Sequence, residues 1–116
     1  MATRCVLVLE DEPLIAIMMR DWLAELGCET LGPAANVQAA LALIERNRPN
    51  AAILDITLGR QDCYPIADWL QDRSVPFAFA TGRADDTIVS RHQAAPRLSK
   101  PFNFDAVSGV ISKLLA

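Results

Sequence analysis

A chain of 116 residues with 52 % hydrophobic content suits one domain with one packed core and is too apolar for disorder. A formal net charge of −3, with arginines scattered from Arg46 to Arg97, forms no basic stripe, so direct binding of nucleic acid is not expected. No apolar run approaches the ~20 residues of a membrane span, no secretory leader is evident, and the three dispersed cysteines form no disulfide or zinc pattern, so a soluble cytoplasmic protein is expected.

The first predicted element is the apolar run CVLVL at 5–9, a strand buried on both faces. It runs straight into Glu10, Asp11 and Glu12. Leu14, Met18, Trp22 and Leu26, with Ile15, Met19 and Leu23 beside them, then predict an amphipathic helix with Pro13 in its first turn and Gly27 as its stop. A short strand at 29–31 leads to Gly32-Pro33. Asn36 is placed to cap a second helix that turns Val37, Leu41 and Ile44 inward. The buried strand AAILD follows at 51–55. Ile66, Trp69 and Leu70 mark a third helix, and PFAFA, bounded by Pro76 and Gly82, is a fourth strand. The stretch 84–95 offers only Ile88 and Val89 as large apolar residues and is the weakest predicted helix. Leu98 lies in a very short fifth strand, and Asn103 can cap a last helix with Phe104, Val107, Ile111 and Leu114 inward.

Alternation of this kind predicts an α/β fold: a doubly wound, five-stranded parallel sheet of the flavodoxin-like order 2-1-3-4-5, or (βα)5. One domain, residues 1–116, is expected, with no output domain attached.

In an open parallel sheet, ligands gather beyond the carboxyl ends of the strands. Those ends carry Glu10-Asp11-Glu12, Gly32-Pro33, Asp55-Ile56-Thr57, Thr81-Gly82 and Lys100-Pro101. Oxygen ligands from two strand ends suit a magnesium ion, which would offset acids that otherwise repel one another. An aspartate beside that ion could attack a phosphoryl group, with Lys100 and Thr81 stabilising the charge that develops. Backbone N–H groups after Thr57 and around Gly82 could complete the cradle.

VLVLEDE, AAILDITLG, FATG and SKPF, in this order and spacing, resemble the receiver domain of two-component response regulators, over essentially the whole chain. The resemblance implies that Asp55 is the phosphoacceptor, supplied by a phosphohistidine on a sensor kinase or phosphotransfer protein. It implies magnesium held by Asp11, Asp55 and the main-chain carbonyl of Thr57, with Glu10 acting through a water and Glu12 pointing away. Thr81 would move toward the phosphoryl group and Lys100 would pair with it, beside Gly82. The Lys100-Pro101 bond would be cis. PFAFATG further resembles the FAT GUY subfamily, often stand-alone receivers paired with HWE-type or related kinases. Such a protein is a signalling phosphoacceptor, not an enzyme with a separate substrate, and it can pair as a homodimer.

Two departures stand out. Glu10 replaces the usual first aspartate, and Arg97 occupies the position of the aromatic switch residue, three places before the lysine. In related receivers the positions of Thr57 and Arg83 influence autodephosphorylation. His92, the single histidine, is expected at the surface or an interface. Trp22 and Trp69 are expected in the core or a subunit contact, and Asp62 as loop charge. A receiver-like module that binds its partner without phosphate is the main alternative. A flavodoxin-like enzyme or flavin carrier is disfavoured, because EDEP stands where a phosphate-binding loop would be.

Overall fold

The computed structural model describes residues 3–82 and 88–116. In chain order these form β1 (Arg4–Leu9), α1 (Pro13–Glu25), β2 (Cys28–Ala34), α2 (Val37–Arg46), β3 (Ala51–Asp55), β4 (Thr57–Leu58) and β5 (Gln61–Asp62). They continue with α3 (Tyr64–Asp72), β6 (Phe77–Thr81), a 3-10 turn at Ser90–His92, β7 (Arg97–Ser99) and α4 (Phe104–Leu114). The main sheet is parallel and five-stranded, in the order β2-β1-β3-β6-β7. This is the predicted doubly wound topology, with β6 and β7 as the fourth and fifth strands of the sheet.

Side-chain alternation in the strands divides the core into two layers. Leu7, Leu9, Ala52, Leu54, Phe77 and Phe79 face α2 and α3 in one cluster. Val6, Val8, Ala51, Ile53, Ala78, Ala80 and Leu98 face α1 and α4 in the other. Every residue of β3 and β6 is buried, which is why both read as unbroken apolar runs.

The helices begin and end for local reasons. Asn36 Oδ1 accepts from Ala39 N at 2.8 Å, and Asn103 Oδ1 from Ala106 N at 2.9 Å, so both predicted caps are formed. Pro13 opens α1, where its missing N–H is harmless, and Gly27 closes the helix at a φ of +76°. Gly32 cannot be replaced easily: at a φ of +98°, a Cβ there would lie 2.6 Å from Ala34 N. The Gly32-Pro33 bond is cis, which the sequence did not suggest, and Lys100-Pro101 is cis as expected.

Four expectations need correction. The inward face of α1 is Ala16, Met19 and Leu23, whereas Leu14 and Met18 are exposed, Leu14 at 65 %. Small Ala16 was the inward residue that the periodicity passed over. The second strand runs to Ala34, longer than residues 29–31. An antiparallel two-residue ribbon, β4 with β5, turns through Gly59 where no strand was expected. Of the predicted fourth helix, residues 84–87 lie outside the described residues, and the remainder contains a single 3-10 turn. The five-stranded parallel sheet of the expected order thus holds, flanked by four α-helices among the described residues.

Candidate functional site

The site lies where β1, β3, β6 and β7 end. Glu10 follows β1, Asp55 closes β3, Thr81 closes β6 and Lys100 follows β7. The strands are in register to bring these ends level, with Leu9 opposite Leu54, Asp55 opposite Ala80, and Thr81 opposite Ser99. By alternation, Glu10, Asp55 and Lys100 continue the layer of Val8, Ile53 and Leu98, so their side chains converge.

Lys100 is the centre of the arrangement. Its Nζ lies 2.9 Å from Glu10 Oε1 and donates to Asp55 Oδ2 at 3.0 Å. Both acids are buried, Glu10 to 5 % exposure and Asp55 to 7 %. Burial pushes the Glu10 carboxyl above its ordinary range, against the lowering effect of Lys100 and of the Glu12 N–H. Burial also opposes the charge on Lys100, but its bonds to Glu10 and Asp55 outweigh that and hold the ammonium above its ordinary value.

The backbone fixes the rest. Glu12 N donates to Glu10 Oε2 at 3.1 Å, and Thr57 N donates to Asp55 Oδ1 at 3.3 Å. Lys100 N donates to Thr81 O at 2.7 Å, so the lysine and the threonine are anchored to each other through the main chain. Gly82 is exposed beside them; a Cβ on it would stand 3.9 Å from Lys100 Cδ. Glu12 is exposed, as expected.

Glu10, Asp11 and Asp55 each offer a carboxylate oxygen within 4.8 Å of the others. Asp11 is exposed while its two companions are buried, so the cluster opens to solvent on one side. Hard, closely spaced oxygens on two strand ends fit a divalent cation that keeps part of its water shell. The β4–β5 ribbon begins two residues after Asp55 and is tied to α2, since Gln61 Oε1 accepts from Val37 N at 3.3 Å. Every site residue inferred from the sequence therefore lies at this edge. Arg83 lies outside the described residues.

Among the neighbours, Asp62 and His92 differ from expectation. Cys63 is wholly buried at the start of α3, and burial pushes its thiol up to about 12. Asp62 is more than loop charge: its Oδ1 accepts from Tyr64 N at 3.1 Å at the opening of α3. His92 is buried, at 3 % exposure, and is not a surface residue. Its Nε2 lies 2.7 Å from Asp68 Oδ1, and its ring packs against Tyr64, Phe77 and Phe79. The four-residue spacing from Ile88, itself buried, was the available signal for an inward His92. Trp22 and Trp69 are partly buried against the two core clusters.

The model of the response regulator receiver domain matches residues 6–112. The transcriptional regulatory protein PdtaR of Mycobacterium tuberculosis is 31 % identical over 104 residues, covering 86 % of this chain and 51 % of that protein. The phyllosphere-induced regulator PhyR of Methylorubrum extorquens is 34 % identical over 119 residues, covering 99 % of this chain and 44 % of that protein. The chain thus spans about half the length of these curated relatives. The solution structure of SdrG from Sphingomonas melonis Fr1 superposes with a TM-score of 0.87 at 42 % identity, covering 100 % of both chains.

Proposed function

The chain belongs to the response regulator receiver domain family, and on that premise we propose that Asp55 is its phosphoacceptor. A carboxylate oxygen of Asp55 attacks the phosphorus of a phosphohistidine on a sensor kinase or phosphotransfer protein. The N–P bond breaks, its electron pair stays on the imidazole nitrogen, and a mixed anhydride forms at Asp55. Water later attacks the phosphorus of that anhydride, breaking its P–O bond to Asp55, which releases inorganic phosphate and restores the carboxylate. The chain turns over no separate metabolite, so it is a signalling protein and not an enzyme.

One observation carries this reading. Asp55 is a buried carboxylate that shares Lys100 with Glu10 and lies beside the solvent-facing Asp11. In the proposed assignment, Asp11, Asp55 and the Thr57 carbonyl hold magnesium, with Glu10 acting through a water. When bound, the ion supplies positive charge at the transferring phosphoryl oxygens. Lys100 supplies a second, fixed charge, while Thr81 and the backbone N–H groups at Thr57 and Gly82 offer donors to the same oxygens.

The likeness to SdrG supports a role in which the chain presents an altered surface or drains phosphoryl groups from a kinase. The resemblance of PFAFATG to the FAT GUY subfamily favours an HWE-type or related kinase as the donor. A cytoplasmic location fits such a partner, and no helix of the described residues is long and apolar enough to cross a membrane.

The deciding experiment is intact-protein mass after incubation with acetyl phosphate and magnesium, beside Asp55→Asn. The native protein should gain one phosphoryl group and the variant none. A folded native protein that gains nothing and binds no magnesium would instead be a phosphate-independent interaction module.

A further inference from the structure

Eighteen residues separate Thr81 from Lys100, and the strand that delivers the lysine is the least supported of the sheet. β7 has three residues, pairs only with β6, and buries one side chain, Leu98. It is fastened at its start by Phe79 N donating to Pro96 O at 2.9 Å and at its end by the bond from Lys100 N to Thr81 O. Beyond the cover that α4 gives Leu98, the segment before β7 is what holds the start of this strand.

That preceding segment is clamped to α3 through two residues one helical turn apart, Tyr64 and Asp68. Val89 N donates to Tyr64 Oη at 3.4 Å. Asp68 receives Arg91 through Nε at 2.8 Å and Nη2 at 3.0 Å, and His92 through Nε2 at 2.7 Å. Arg91 is exposed and its ion pair is screened, so its share is small. The His92 ring is enclosed. It stacks nearly parallel to Tyr64, at 12° and 6.1 Å, and meets Phe77 edge-on at 5.5 Å. It also lies 6.1 Å from Phe79, on the β6 face that Thr81 continues two residues later. Ala95 N then donates to His92 O at 3.2 Å, one residue before Pro96.

We propose that His92, held by Asp68, is a positioning residue that fixes the start of β7 and so sets Lys100 and Thr81 against Asp55. The proposal rests on the reading of Asp55 as phosphoacceptor. It also assigns to His92 and Phe79, with the partly buried Tyr64, the ring layer that Arg97, which is exposed, cannot supply from β7.

His92→Phe separates the bond from the packing. The ring stays in its aromatic layer, and His92 Nδ1 already has no hydrogen-bond partner among the described residues, so the variant removes little besides the contact with Asp68. Asp68→Ala deletes the same contact from the exposed side, should His92→Phe fail to fold. The measurements are amide hydrogen exchange, without and with magnesium, and the rate of phosphoryl gain from acetyl phosphate. The expected result is exchange about ten-fold faster at the Phe79 and Lys100 amides, with β1 and β3 amides unchanged, because opening of the edge is local. Phosphorylation should slow several-fold in parallel. Native exchange and native rate in both variants would overturn the proposal. Exchange accelerated equally in β1 and β3 would also overturn it, since His92 would then be a general core residue. If the native protein gains no phosphoryl group, the functional reading fails, and the exchange contrast alone decides whether His92 positions β7.

Discussion

The two halves of the sheet are built differently. On one side, β1, β2 and β3 have six, seven and five residues and are covered by α1 and α2. On the other, β6 is followed by a segment whose described residues hold one 3-10 turn, and then by a three-residue edge strand. The first half supplies Glu10, Asp11 and Asp55, the acids that would meet a cation. The second supplies Thr81 and Lys100, the groups that would respond to a phosphoryl group. The acids thus follow long strands, whereas the lysine follows a three-residue strand whose approach is held to α3 by polar contacts. Carboxylates that fit a cation thus lie beside a lysine delivered by a short edge strand.

Truncating core residues in each half tests this contrast most severely. Leu7 is fully buried at the sheet centre, and Leu7→Ala should cost about 4 kcal/mol of unfolding free energy; Leu98→Ala, at the edge, should cost about 2 kcal/mol because the site can collapse. Urea denaturation followed by circular dichroism measures both. Equal costs would mean that the halves are secured alike.

Lys100→Met attacks the junction of the halves. It leaves buried Glu10 and Asp55 beside one another without their cation, and should cost about 3 kcal/mol. Millimolar magnesium should return part of that loss, since a ligand that binds only the folded state stabilises it. A melting temperature unaffected by magnesium in this variant would argue against a cation site at these carboxylates.

The smallest effect concerns reactivity. With its thiol pushed up to about 12, Cys63 should resist a thiol reagent at pH 8 in the folded protein and react only on unfolding. Half-buried Cys5 should react first. Rapid labelling of Cys63 at the rate of Cys5 would show that the start of α3, next to the site, opens far more than its burial allows.

The contrast between halves also explains what was legible in the sequence. β1, β3 and β6 are buried on both faces, so each appears as an apolar run, and the acids, threonine and lysine that follow them locate the site. The Asn36 and Asn103 caps were visible because their chemistry is local. The inward face of α1 was not, because alanine carries no strong periodic signal and the exposed Leu14, Ile17 and Met18 are larger than Ala16. His92 was misread because a buried imidazole depends on Asp68, twenty-four residues away. Polar anchors between distant residues leave no periodic trace, and the segment before β7 relies on them.

The ammonium between Glu10 and Asp55 has one more consequence, for the order of events. Three carboxylates against one lysine, when all are ionised, leave the pocket with two negative charges in excess, the complement of a single divalent cation. A phosphoryl donor, itself an anion, approaches a mouth of its own sign until that excess is neutralised. Occupancy should therefore be sequential, metal before phosphate, and the apparent rate of phosphoryl gain should follow cation concentration before it saturates in donor.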